Sequence, residues 1–349
     1  MPRKSNKYEF DQIWIDKSAL QYPSTHIIRD RLSKIPADIV DDVQGLKHSS
    51  DLNLAKRQLI LTINRGVAFK ACQGATQDVV CCGYHTIDLM SGCPCECTYC
   101  VLQHYLANNP MTTIYMNIEE VLNSVKNFLT VNSEKNYRIG TGELSDSLAY
   151  DHITGYSKII VSFFSAQPNA VFEFKTKTAN IDNLIGLKHN GRTVVAWSMN
   201  PQRIIESEEF NTASLDERLA AAKRCVDAGY RVGFHFDPII HYKGWEKEYK
   251  EVVDVIYEVV PQESIAWISL GTFRFPPNLK TIATKRFPKS KIFYGEFIPA
   301  NGKMRYFRPL REEIYGKMRE WIGNRSKYIT PYLCMETPQV CKHYNSISE

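Results

Sequence analysis

Between residues 85 and 271 the chain switches repeatedly between short apolar runs of β type and amphipathic runs of helical period, and that rhythm limits the folds open to it. Residues 85–90, 137–140, 171–176, 193–199, 231–237 and 264–271 read as strands, and 117–129, 153–164, 181–188, 215–228 and 246–259 as helices. Strands separated by helices pair in parallel through right-handed crossovers, which predicts an α/β fold whose sheet is open or curled into a partial barrel. The 349 residues suit one large α/β domain with extensions, or two small domains. Residues 1–80 are polar and mixed in charge, with a helical stretch at 51–64, and read as an N-terminal helical extension. Residues 81–280 form the core and 281–349 a C-terminal extension.

Chemistry concentrates just after the first strand, where Cys93, Cys97 and Cys100 are spaced C-x3-C-x2-C. Thiolates suit iron–sulfur clusters, and three of them leave one iron of a four-iron cluster open to a small molecule. With Cys95 added, the same run also meets the spacing of a zinc knot, which stays an alternative. Cys95 falls outside the triplet and is read as a bystander. Cys81 and Cys82 are adjacent and poorly placed to ligate one metal together. No charged-then-apolar leader follows Met1 and no long uncharged apolar run spans a bilayer, so ten cysteines predict reduced thiols in a cytoplasmic protein without membrane contact. The formal charge of +5 is too small to prove nucleic-acid binding.

In parallel sheets, function collects at the carboxyl ends of the strands. Here the second strand ends in Gly140-Thr141-Gly142-Glu143, the third in Lys175-Thr176-Lys177, the fourth in Ser198-Met199-Asn200 and the fifth in His235-Phe236-Asp237-Pro238. Singly, each reads as a turn or cap. Together, in strand order behind the cysteine loop, they read as the rim of one site. His235, Asp237 and His241 are irregularly spaced around Pro238 for a metal, and are read as substrate or cofactor contacts.

These residues resemble the radical S-adenosylmethionine enzymes and, within them, the spore photoproduct lyase-like group. The resemblance is carried by Cys93, Cys97 and Cys100 with Tyr99 before the last cysteine, and by Gly140-Thr141-Gly142-Glu143. It continues through Leu102-Gln103, Ser145-Asp146, Asp151-His152, Lys175-Thr176-Lys177, Ala228-Gly229-Tyr230 and Gly233-Phe234, over about residues 81–311. It implies a partial parallel (β/α)6 barrel, a [4Fe-4S] cluster on the three cysteines, and S-adenosylmethionine chelated by the open iron. It further implies an electron donor such as flavodoxin or ferredoxin. Cofactor contacts are expected from Gly140, Gly142, Glu143, Lys175, Ser198 and Asp237, and a radical relay from Tyr99. The group acts on thymine-derived lesions in DNA. In its repair enzyme a cysteine and a tyrosine deliver hydrogen to the product radical, where this chain has Glu143 and Val101. That departure favours isomerisation or modification of a thymidine derivative, such as glycyl-thymidine in a DNA hypermodification pathway. Lesion repair with a different donor, Cys95 or Tyr99, and a non-catalytic zinc-stabilised nucleic-acid-binding protein are the alternatives.

The C-terminal extension is basic and aromatic from Lys280 to Arg311, and Asn301-Gly302 predicts a β-hairpin there. The resemblance makes it a DNA-inserting hairpin. Lys303, Arg305, Tyr306 and Arg308 are then the expected DNA contacts, phosphates being met by cations and a lifted base by an aromatic wedge.

Overall fold

The structure is a computed structural model that describes residues 10–72, 74, 79–80 and 82–346. Six parallel strands in sequence order make the core: β1 (His85–Ile87), β2 (Tyr137–Gly140), β3 (Ala170–Thr176), β4 (Thr193–Ser198), β5 (Arg231–Ile239) and β6 (Ile265–Thr272). Phe69–Ala71 extends the sheet antiparallel to β1, and Tyr332–Leu333 adds in parallel to β6 at the other end. No ladder joins the two ends among the described residues, so the sheet is a partial barrel.

Alternation along each strand separates two faces. Phe172, Phe174, Val195, Trp197, Phe234, Phe236, Ile268 and Leu270 are buried in the continuous hydrophobic core. Glu173 reaches His235 across the intervening β4, with His235 Nε2 2.8 Å from Glu173 Oε1, which sets these two on the concave face. Trp267 Nε1 also donates to Glu173 (2.5 Å), and Arg138 lies 4.1 Å over the Trp267 ring. The inside of the barrel is therefore polar and charged.

Four of the five expected crossover helices form, as Ile118–Val131, Tyr156–Ser165, Leu215–Asp227 and Trp245–Val259. Residues 181–188 give only the 3-10 turn Asp182–Leu184. Gly186 sits at φ +83°, and so short a run cannot repay helix nucleation.

The N-terminal residues are only in part the helical extension expected of them: Pro23–Arg31 is a helix, but strands lie on either side of it. Helix Leu52–Ala55 covers only the start of 51–64, and Gln58–Thr62 is a strand. Leu59, Ile60 and Leu61 are consecutively buried, which a strand covered on both faces requires and a one-sided surface helix does not. This strand lies in a second sheet, ordered Ala37–Val40, Gln12–Asp16, Gln58–Thr62, Thr112–Tyr115 and Met90–Ser91. Two of its strands come from the core, so the N-terminal residues buttress the loop that carries the cysteines.

The expected hairpin is present as Ile298–Ala300 and Lys303–Arg305, with Arg274–Phe275 as a third strand. Asn301 (φ 53°) and Gly302 (φ 70°) both occupy the left-handed region, the requirement of a tight turn that matches strand twist. Among the described residues no helix is long and apolar enough to cross a membrane.

Candidate active site

The cysteine loop is held on several sides. Cys93, Cys95, Cys97 and Cys100 line one pocket with Lys56, Gln103 and Arg286. The Gln103 amide donates to the carbonyls of Cys97 (3.2 Å), Thr98 (2.9 Å) and Cys100 (3.3 Å), so the turn leaves few free dipoles. Glu96 bridges Lys56 (2.7 Å) and Arg286 (2.5 Å), which draws two cations beside the thiols. A hydrogen bond from Cys95 lowers the Cys93 thiol pKa. That bond, together with burial, pushes Cys95 up, and burial raises Cys97 and Cys100.

Three thiols around a pocket, with cations to offset their charge, fit a cluster held by Cys93, Cys97 and Cys100. Cys95 is a buried neighbour that donates to Cys93. Among the described residues, no three His, Cys, Asp or Glu side chains gather closely enough to hold one metal ion, unlike the convergent ligands of a zinc knot. Cys81 lies outside the described residues, and Cys82 is exposed.

Behind the loop is a buried polar network that the sequence did not disclose. Glu209 pairs in strand register with Cys97 and is 0% exposed. It accepts hydrogen bonds from the Tyr99 hydroxyl, Asn200 Nδ2 (2.8 Å), Lys177 Nζ (3.2 Å) and Arg218 Nη2 (2.6 Å). Burial works against its charge, but Lys177 and Arg218 hold the carboxyl well below the usual range. Burial and Glu209 together push the Tyr99 phenol well up, so the hydroxyl keeps its hydrogen. Nothing in the Glu208-Glu209 dipeptide signals this role. It became visible only when the strand pairing placed Glu209 beside Cys97.

The strand-end residues come together in part. Gly140 packs beneath Tyr84, where an added Cβ would stand 1.9 Å from the hydroxyl, and Gly142 turns the chain at φ +102°. Glu143, half-buried, accepts from Thr86 Oγ1 at 2.7 Å. Ser198 is buried, and its carbonyl accepts from Arg218 Nη1 (2.8 Å). Lys175 has no ion pair or hydrogen-bonded side-chain partner among the described residues. It nevertheless acts electrostatically on Glu173, Asp237 and Cys334.

Two residues of this rim have charged or polar partners within the chain. Asp237 makes a two-pronged pair with Arg274 (2.9 and 3.2 Å). His235 lies between Glu173 (2.8 Å) and Ser269 Oγ (2.6 Å). Burial lowers its pKa and keeps the ring neutral.

The hairpin residues divide. Arg305, 2% exposed, turns inward and donates to the Met335 carbonyl (3.1 Å). Tyr306 is buried and stacks on Phe297, and its hydroxyl accepts from the His241 amide N–H at 3.0 Å. Both side chains are buried rather than on the outer surface. Lys303 is half-buried, its pKa pulled down to about 8 by burial and by Arg274 and Arg305. Arg308 is exposed and paired with Glu312 (2.7 Å). The exposed cations of this region without an ion pair among the described residues are Lys280, which lies 5.4 Å over the Tyr294 ring, and Lys285, Lys289 and Lys291, on or after the Pro277–Arg286 helix.

A family model for spore photoproduct lyase matches residues 8–309. Spore photoproduct lyase of Bacillus subtilis (strain 168) is 27% identical over 294 residues, covering 81% of this chain and 84% of its own. The spore photoproduct lyase of Geobacillus sp. (strain Y412MC61) is 26% identical over 294 residues, with the same coverage. A solved spore photoproduct lyase double mutant with bound AdoMet and dinucleoside spore photoproduct superposes with a TM-score of 0.82 at 24% identity, over 94% of this chain and 98% of that one. A spore photoproduct lyase complexed with dinucleoside spore photoproduct gives the same TM-score and identity over 93% and 98%. The cysteine triplet over a partial barrel and a match spanning most of the chain have one reading: this chain belongs to the spore photoproduct lyase family of radical S-adenosylmethionine enzymes, which use a [4Fe-4S] cluster and S-adenosylmethionine.

Proposed function

We propose that the protein opens the covalent link between two thymines of spore photoproduct in DNA. The observation that carries this reading is the pocket of Cys93, Cys97 and Cys100 beside a polar barrel, in a chain similar to spore photoproduct lyases over most of its length. When bound, the cluster and S-adenosylmethionine supply a 5′-deoxyadenosyl radical that abstracts hydrogen from the substrate.

The chain's own residues do the rest. Cys93, Cys97 and Cys100 would hold the cluster, with Lys56 and Arg286 offsetting its negative charge. Glu143 would meet the ammonium of S-adenosylmethionine, and the free ammonium of Lys175 its carboxylate or the lesion. The walls of the half-barrel keep the reacting carbons apart from water. Lys280, Lys285, Lys289 and Lys291 would follow DNA phosphates. A low-potential flavodoxin or ferredoxin would be the electron donor.

A second reading, isomerisation of a thymidine derivative, is favoured by one observation. Glu143 and Val101 stand where the repair enzyme of this family carries its donor cysteine and tyrosine, and neither side chain gives up a hydrogen atom readily. Product analysis separates the two. Anaerobically reconstituted protein given a reductant, S-adenosylmethionine and dinucleoside spore photoproduct should release thymidine dinucleotide, detected by mass spectrometry. Conversion of glycyl-thymidine to a carbon-linked isomer, with spore photoproduct left intact, would establish the second reading and overturn the first.

A further inference from the structure

One thiol outside the cysteine loop lies among the charged residues of the barrel mouth. Cys334 follows Tyr332–Leu333, the strand that adds to β6, and its N–H donates to the Leu270 carbonyl at 2.8 Å. Its Sγ is 4.0 Å from Arg274 Nη2. Asp237 and Lys175 act on the thiol electrostatically, and the thiol in turn acts on Lys303. Groups from β3, β5 and the three-stranded hairpin sheet thus act on one sulfur at the end of β6.

The charge there does not balance. Asp237 is matched by Arg274, and Glu336 is shared by Arg311 (3.6 Å) and Arg305 (4.0 Å). Lys175 and Lys303, both half-buried, have no ion pair among the described residues. Half-buried ammonium groups without a counter-charge in the chain suit an anion from outside it. The phosphodiester of a dinucleotide is such an anion.

Opening the carbon–carbon link of the lesion leaves a thymine radical that needs one hydrogen atom. Resting on the lyase reading above, we propose that Cys334 is the catalytic residue that donates it. The Sγ–H bond breaks homolytically, its hydrogen forms the last C–H bond of thymine, and sulfur is left as a thiyl radical. One electron from the flavin or iron–sulfur protein that charges the cluster, and one proton from solvent, restore the thiol. Burial, with Asp237, pushes the Cys334 thiol up to about 12, so the S–H bond is intact at neutral pH, as an atom donor requires. Arg274, which would favour the thiolate, is held by Asp237. The phenol of the cysteine loop is occupied, since Tyr99 donates to Glu209.

Because a thiol exchanges with solvent, wild-type protein in deuterium oxide should convert dinucleoside spore photoproduct to thymidine dinucleotide carrying deuterium. In both Cys334→Ser and Cys334→Ala the ratio of thymine product to 5′-deoxyadenosine should fall about tenfold or more, with loss of that label. Without turnover, dinucleoside spore photoproduct should slow alkylation of Cys334 severalfold against Cys341, read by mass spectrometry. Labelled thymine persisting in both Cys334 variants, its loss in Cys82→Ala alone, or unchanged alkylation of Cys334 would overturn the proposal. Unlabelled thymine from the wild type would overturn the donor and leave the lyase reading standing. No thymine at all, with S-adenosylmethionine still cleaved, would remove both.

Discussion

At the scale of single residues, the cluster pocket separates ligands from neighbours by what each thiol touches. Cys93→Ala, Cys97→Ala and Cys100→Ala should each abolish the reconstituted cluster's visible absorbance and S-adenosylmethionine cleavage. Cys95→Ala should keep both, because Cys95 falls outside the C-x3-C-x2-C triplet; loss of the absorbance there would make it a ligand. The triplet was legible because metal ligation imposes a spacing on the chain. Glu209 was not, since a buried carboxylate becomes recognisable only by the groups that fold around it. Removing it leaves Arg218, fully buried, without its counter-charge. Glu209→Ala should therefore cost about 3–5 kcal/mol in urea denaturation. A loss below about 1 kcal/mol, the scale of a surface pair, would show that water replaces the carboxylate.

Among elements, the Pro277–Arg286 helix ties the C-terminal region to the cysteine loop. Arg286 reaches Gln103, Asn53 and Glu96, each at 2.5 Å, and so joins the helix to the loop and to the N-terminal residues. Arg286→Ala should leave the barrel folded by circular dichroism but speed iron loss to a chelator severalfold. An unchanged rate would mean that Gln103 and Lys56 hold the loop unaided. The same segment carries Lys280, Lys285, Lys289 and Lys291. Neutralising two of them should weaken DNA binding and flatten its salt dependence, by about 0.9 in logarithmic slope for each DNA phosphate no longer neutralised. An unaltered slope would move the DNA surface elsewhere.

Periodicity made the crossover helices at 118–131, 215–227 and 245–259 readable, because each has one apolar face to bury. It failed at Gln58–Thr62, an apolar run that a helix and a doubly covered strand share. It failed again at Asp182–Leu184, where glycine geometry outweighs pattern. The hairpin turn was legible from Asn301-Gly302. The inward direction of Arg305 was not, because alternation alone does not say which face of a short edge strand meets the barrel.

For the whole molecule, the barrel interior links stability to pH. Burial works to raise Glu173, but the hydrogen bond with His235 and the charge of Arg138 hold its carboxyl well below the usual range; Asp237 is likewise held down, against burial, by Arg274 and Lys175. A carboxyl depressed in the folded state contributes stability that is fully present above its unfolded pKa, near 4, and is lost as pH falls toward the folded value. His235, kept neutral by burial, acts in the same direction, since acid must charge it. The urea midpoint should therefore be flat above about pH 7 and fall steadily below about pH 5. Glu173→Gln should lower the plateau and reduce the acid slope, and a slope unchanged by that substitution would place the acid sensitivity outside the barrel.

The central claim is that this barrel directs a radical at a thymine lesion. Dinucleoside spore photoproduct deuterated at the carbon from which hydrogen is abstracted tests it directly, by mass spectrometry of the 5′-deoxyadenosine formed by reconstituted, reduced protein. The account predicts deuterium in 5′-deoxyadenosine and a rate of its formation that rises with the lesion. Unlabelled 5′-deoxyadenosine, formed equally fast with and without the lesion, would contradict it.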